Sequence, residues 1–289
     1  MTWLRRLVAL GAAIAAYSFV EARSYRLTRL VVPVRSPIGH LTVLHLSDTH
    51  LWGRNAALVR FLERLPELVG TPDLVIATGD FLEGNEGIGP AVAGLAGLEA
   101  RLGRYYVLGS HDYFQSERPG FARYLTGNRR APTSKPAATD ELRKGLEAKG
   151  WVSVMNDLVR VESPFGPIQI SGVDDPYIHR HTTQHIRRRE DAVLALGLTH
   201  APDVVSEWIL ENFDVVFAGH THGGQIRIPA VGALVTNCSL PTGLAKGLHR
   251  VGPGWLHVSP GLGTSHFSPV RFACPPEATL LDLVGESPS

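Results

Sequence analysis

Leu41-Thr42-Val43-Leu44-His45-Leu46-Ser47-Asp48-Thr49-His50 is the stretch that decides the fold. Its apolar part, Leu41 to Leu46, reads as a buried strand. Two metal-capable side chains, Asp48 and His50, follow at the point where the strand ends. Residues two apart on an extended chain share a face, so both can reach one ion. The same pattern repeats outward along the chain. Leu74-Val75-Ile76-Ala77 runs into Thr78-Gly79-Asp80, and Tyr105 to Leu108 runs into Gly109-Ser110-His111-Asp112. Val193 to Leu198 runs into Thr199-His200, and Phe213 to Phe217 into Ala218-Gly219-His220-Thr221-His222-Gly223-Gly224. In an open α/β sheet, ligands bind outside the carboxyl ends of the strands. Imidazole and carboxylate together suit Mn, Fe, Zn or related divalent ions. The set holds more ligands than one ion needs.

The chain of 289 residues is 44% hydrophobic, enough for one sizeable core. One large α/β domain is expected rather than two. The formal net charge of +1 gives no global attraction for nucleic acid, whose binders usually carry a basic stripe; no nucleic-acid partner is expected. Cys238 and Cys274 lie far apart and make neither a metal spacing nor a disulfide framework. They read as core thiols, with pairing in an oxidising compartment as the alternative. Oligomeric state is left open.

Helical spacing marks Ala56 to Val69 (Leu58, Phe61, Leu62, Leu65), Val92 to Leu102, and Thr139 to Lys149 with Gly150 as its stop. Strands alternating with helices predict a sheet flanked by helices. Tyr113 to Ala138 is rich in Gly, Pro and Arg and reads as a lid or substrate-contact loop, or as a surface insertion. After His222, short strands and Gly/Pro turns suggest a second, mostly antiparallel sheet. Pro33 to Gly39 reads as a connector. The expected division is therefore an N-terminal segment over 1–33 and a catalytic domain over 34–284. The residues from Gly285 read as a frayed tail.

In the N-terminal segment, Arg5 and Arg6 precede an apolar run from Leu7 to Val20. At about 14 residues the run falls short of the roughly 20 that a span needs. A retained anchor lying in the membrane interface is expected, holding the protein at the cell membrane with the side open. A cleaved signal and a docking helix are the alternatives.

The order DxH, GD, GxHD, H, GHxH resembles that of the calcineurin-like metallophosphoesterases. Three further strings narrow the resemblance: His222-Gly223-Gly224-Gln225-Ile226 with Pro229 and Gly232, Gly172-Val173-Asp174-Asp175-Pro176, and Val258-Ser259-Pro260-Gly261-Leu262-Gly263. These are similar to the bacterial branch of membrane-associated phosphoesterases with YkuE-like and YaeI-like members, some relatives of which cleave the pyrophosphate of UDP-2,3-diacylglucosamine. The resemblance implies an α/β fold, a two-sheet βαβ sandwich flanked by helices. It implies that Asp48, His50 and His222 bind a first divalent ion, that Asp80 bridges, and that His200 and His220 bind a second. Most relatives carry asparagine where this chain has Ser110, a weaker ligand that would act through water. His111 would stand beside the leaving group as acid. Asp112 would orient it and favour its protonated form.

The implied function is hydrolysis of a phosphodiester or pyrophosphate bond, a lipid-linked substrate included, by a hydroxide bridging two Mn, Fe or Zn ions. A soluble exported phosphomonoesterase and a non-catalytic scaffold are the rival readings. His179, His181 and His185 read as surface or substrate-loop residues. His40, His45, His249, His257 and His266 read as structural or surface, Arg187-Arg188-Arg189 as a solvated face, and Asp174 and Asp175 as a turn before Pro176.

Overall fold

Strands that are apolar at nearly every position are stable only when both of their faces are covered. The computed structural model, which describes residues 2–53, 55–116, 135–184 and 186–285, achieves this with two stacked sheets and helices outside them. The first sheet contains β1 (Arg26–Val34), β2 (His40–Leu46), β3 (Leu74–Thr78), β4 (Gly103–Val107), β5 (Trp151–Ser153) and β14 (Glu277–Gly285), in the order β1-β14-β2-β3-β4-β5. The second contains β6 (Asp157–Ser163), β7 (Gly166–Gly172), β8 (Leu194–Leu198), β9 (Val215–Ala218), β12 (Gly247–Val251) and β13 (Gly254–Val258), in the order β12-β13-β9-β8-β7-β6. β10 (Arg227–Ile228) and β11 (Gly232–Ala233) form a separate two-stranded hairpin.

Alternate side chains of each strand enter different cores. Leu41 and Val43 of β2 face inward with Ile76, Val107, Ile170, Leu196 and Phe217, between the sheets. Leu44 and Leu46 point the other way, onto α2 (Ala56–Val69), α3 (Ile88–Ala96) and α5 (Thr139–Glu147) through Leu58, Leu62, Leu95 and Leu142. The outer face of the second sheet is covered by α6 (Val205–Leu210), whose Trp208 packs with Val216 and Leu256.

Several expectations change. The helix expected over Val92 to Leu102 runs over Ile88–Ala96 instead. The second sheet is not mostly antiparallel. Its middle, β7-β8-β9-β13, is parallel, and β12 and β6 pair antiparallel at its edges. Of the strands after His222, β12 and β13 complete this sheet, β14 joins the first, and only β10 and β11 pair on their own. β1 is paired in parallel along its whole length with β14, so the first sheet begins at Arg26, ahead of the expected connector. Pro33 is tolerated there because β1 is an edge strand. The N-terminal helix α1 (Thr2–Glu21) is 20 residues long, longer than its apolar run. At 1.5 Å per residue it is long enough to cross a membrane, and only 6% of its most apolar window is buried. Cys238 and Cys274 are free, buried thiols. Most of the expected lid lies outside the described residues, as do His185 and the end of the expected tail.

Candidate metal centre

The five motifs end strands that run in parallel within each sheet, and the turns that follow are sharp. Asp48, His50, Asp80, His220 and His222 all adopt positive φ, between 42° and 69°. That region costs most L-residues about 1–2 kcal/mol, and such strain gathers at functional sites. Neighbouring turns hold one another in place. Asp48 N donates to Gly79 O (2.9 Å), His50 N to Asp80 O (3.0 Å), and Gly219 N to His200 O (3.0 Å). His220 N donates to both oxygens of the Asp48 carboxylate at 3.1 Å. Gly109 must be glycine for space, since a Cβ there would lie 2.3 Å from Asp80 Oδ1 and 2.7 Å from the His200 ring.

These turns bring seven of the nine expected site residues into two adjoining clusters or beside them. The ligand atoms of Asp48, His50 and His222 lie within 4.8 Å of one another, and so do those of Asp80, His200 and His220. Asp80 sits between the clusters. Its Oδ2 is 3.5 Å from His50 Nε2 and 3.3 Å from His200 Nε2, and its Oδ1 accepts from His111 N at 2.9 Å. His50 Nε2 and His222 Nε2 face each other at 3.2 Å.

The histidines are prepared as ligands by what lies behind them. His50 Nδ1 is 2.8 Å from Glu83 Oε2, His200 Nδ1 is 2.6 Å from Thr78 O, and His220 Nε2 is 3.2 Å from Asn237 O. Each contact assigns a proton to that nitrogen, so that the other would be the one to take a cation, the usual arrangement of a metal-binding imidazole. His200 Nε2, fully buried, makes no well-aligned hydrogen bond among the described residues and has only the Asp80 carboxylate, 3.3 Å away, beside it. These donors fit divalent cations. The charges agree. Burial opposes ionisation of Asp80, but His200 and His111 outweigh it and hold the carboxyl well below its usual range. Burial opposes charge on His50 too, yet the Glu83 hydrogen bond and Asp80 push it up to about 9. Burial also opposes ionisation of Glu83, but His50 holds its carboxyl down to about 2. Burial, with His200 beside it, lowers His220 to about 4 and so keeps it neutral.

Two expectations fail or shift here. Asp112 does not touch the His111 side chain. Its Oδ1 accepts from Phe81 N (2.8 Å) and Leu82 N (3.1 Å), and its Oδ2 from Gly109 N (2.9 Å). In the one-turn helix α4 (Ser110–Tyr113), this side chain points back to the helix start and the loop after β3. His111 instead has Ser116 Oγ at 2.8 Å from its Nδ1. Burial pulls the His111 pKa below its ordinary value, where a neighbouring carboxylate was expected to raise it. Ser110 is buried at the start of α4.

Two residues were missed by sequence reasoning. Glu83 follows Asp80 by three and was hidden in a loop. Arg271 is fully buried, donates to Gly263 O (2.6 Å) and Pro260 O (2.8 Å), and stands 3.5 Å from His222 Nδ1. Neither carries a sequence signal beyond its charge. Asp175 Oδ1 accepts from Tyr177 N at 3.0 Å, a turn contact. His45 and His257 form a buried pair with their Nδ1 atoms 2.8 Å apart, away from the clusters. His179 and His181 lie in a loop and join no metal-capable group among the described residues.

Known proteins share this pattern. The profile of the calcineurin-like phosphoesterase family matches residues 41–224. The metallophosphoesterase YkoQ of Bacillus subtilis is 31% identical over 246 residues, covering 83% of this chain and 82% of YkoQ. The phosphodiesterase YaeI of Escherichia coli is 28% identical over 57% of this chain and 58% of its own length. A Bos taurus protein named as a transmembrane protein with a metallophosphoesterase domain is 29% identical over 89% of this chain and 56% of its own.

Proposed function

Because the chain belongs to the calcineurin-like phosphoesterase family, we propose that it is a dinuclear hydrolase of phosphodiester or pyrophosphate bonds, acting beside a membrane on a lipid-linked phosphate ester. The observation that carries the reading is the place of Asp80, with one carboxylate oxygen near a histidine of each cluster. Asp48, His50 and His222 would hold one divalent ion, His200 and His220 the other, and Asp80 would serve both. Bound ions of this kind supply Lewis acidity and a water acidified toward neutral pH.

The chain's own groups do the rest. Glu83 holds the proton of His50 away from the metal side. Ser110, buried at the start of α4, would hold a water at the second site. His111 is only half-buried and has its Nδ1 occupied by Ser116. Its Nε2 is left to meet the leaving-group oxygen. The membrane part of the reading rests on α1, whose side chains from Trp3 to Val20 are mostly exposed and apolar, and on the name of the Bos taurus relative. α1 would be the anchor, and the chain from β1 onward the hydrolase body.

The test pairs metal analysis with hydrolysis of bis-p-nitrophenyl phosphate in added Mn. The wild type should bind two ions and hydrolyse the diester. Asp80→Ala should lose metal and nearly all activity, because a shared carboxylate leaves both ions at once. His111→Ala should keep its metal and slow turnover by about 10²–10⁴-fold. Equal metal loss in the two variants would contradict the roles assigned. Full metal occupancy without hydrolysis of any diester or pyrophosphate would favour the scaffold reading.

A further inference from the structure

The hairpin that follows His222 carries an apolar surface with no cover among the described residues. Ile226, Ile228, Val231, Leu234 and Val235 are all exposed, and Val231, beside the turn, is 73% accessible. A ladder of two residue pairs, Arg227–Ala233 and Ile228–Gly232, is too short to fold around a core of its own. Several large apolar side chains exposed within one short segment mark an interaction site.

Charge narrows the partner. No Asp or Glu occurs between Asp214 and Glu277, while Arg227 and Arg250 lie there on accessible chain, and Lys246 pairs with Glu277. α1 has the same character, with Arg5 and Arg6 and no acid before Glu21. Apolar tips on an acid-free, basic segment suit an anionic lipid surface.

Position ties the two together. The segment from Arg271 to Cys274 lies between α1 and the hairpin. On one side, Arg271 N donates to Ser18 O (3.0 Å), Ala273 N and Cys274 N donate to the Glu21 carboxylate (2.9 Å each), and the Tyr17 and Phe272 rings meet at 5.7 Å. On the other, Ile226 bridges Phe272, and Arg227 N donates to Phe272 O at 2.9 Å. The same segment reaches the metal centre, since Cys274 Sγ donates to His222 O at 3.4 Å.

We infer that the β10–β11 hairpin enters the headgroup layer of an anionic bilayer beside the last turn of α1, and that this second contact holds the metal centre next to the lipid surface. The inference rests on the membrane-associated reading above and adds the surface that makes the contact. A lone helix lets the body swing about its tether. A second insertion point fixes which face meets the lipid.

The test uses the full chain on phosphatidylcholine vesicles with and without phosphatidylglycerol. An environment-sensitive fluorophore is placed at Val231→Cys and, as a control, at Val152→Cys on β5. Val152 is exposed in the first sheet, and the native thiols are buried. The probe at 231 should shift to shorter wavelength and be quenched by bromine-labelled lipid, more strongly with phosphatidylglycerol. The probe at 152 should stay open to aqueous iodide. Val231→Asp with Leu234→Asp should lower vesicle partitioning about tenfold and leave hydrolysis of the soluble diester unchanged. If the chain floats with vesicles while the probe at 231 stays iodide-accessible, the hairpin contact is overturned and the α1 anchor stands. If the full chain does not bind vesicles at all, both fall together.

Discussion

Glu83 Oε2 lies 2.8 Å from His50 Nδ1, and its other oxygen accepts from Ser265 Oγ (2.8 Å) and His266 N (2.7 Å). This fully engaged carboxylate fixes both the tautomer and the ring plane of His50. Glu83→Gln keeps the shape and removes the charge, so it should weaken binding at the first metal by about 10- to 100-fold. Titration of the metal-free protein with Mn, followed by calorimetry, reads this directly; an unchanged affinity would show that His50 needs no support. Asp112 gives the opposite lesson. It accepts from three backbone N–H groups and touches no reacting group. Asp112→Ala would leave Phe81, Leu82 and Gly109 N–H unpartnered in a buried place, at a cost of about 3 kcal/mol or more. Burial and Asp80 raise its carboxyl to about 7, so the unfolding comparison belongs above that pH. If Asp112→Ala unfolds at the wild-type urea midpoint but turns over slowly, it acts on His111 after all.

At the scale of elements, α1 and β1 divide the N-terminus differently from its sequence. The last turn of α1 is docked through Ser18, Glu21 and Ala22, while the turns before it are exposed. β1 pairs with β14 over nine residues, Arg26 to Val34. Removing the residues before Ser18 should therefore release the protein from membranes and keep it folded. A chain beginning at Val34 should instead aggregate or melt at lower temperature, because it strips the edge strand and exposes Leu280 and Leu283. Equal melting temperatures for the two truncations would contradict this. The same elements show what a sequence can reveal. β2, β3, β8 and β9 were readable because both their faces are buried, which leaves runs of Leu, Val, Ile and Phe. The polar residues at their ends stood out against those runs. β1 was hidden because an edge strand with one open face admits Arg26, Arg29 and Pro33, which read as linker. Glu83, Arg271 and the true partners of Asp112 were hidden for another reason. Their roles depend on which loops meet after folding, and no local period records that.

On the scale of the whole molecule, the two sheets meet across an apolar core that contains a polar junction. His45 of β2 and His257 of β13 face each other at 2.8 Å, and His45 Nε2 lies 2.9 Å from Thr78 Oγ1. One ring donates and the other accepts, and burial favours the neutral form of both. Burial, then the charge of His257, holds His45 well below the ordinary 6.5, and burial, with His249 and Lys246, lowers His257 to about 3. The sign follows from proton uptake. Below about pH 6.5 the unfolded chain binds protons at both positions and the native pair does not. Stability is therefore full above that pH and is lost as pH falls toward the native values. The slope is up to about 1.4 kcal/mol per pH unit for each histidine. Urea unfolding of the metal-free protein from about pH 7 to about pH 5 should show this loss. Replacing both rings, His45→Leu with His257→Leu, removes donor and acceptor together, which costs little when shape is kept. Thr78 Oγ1 keeps its bond to Ser47 Oγ at 2.8 Å. The double variant should unfold with a flatter pH dependence. Parallel curves for the two proteins would mean that acid opens the molecule through the metal-site histidines instead, and that the sheet junction plays no part.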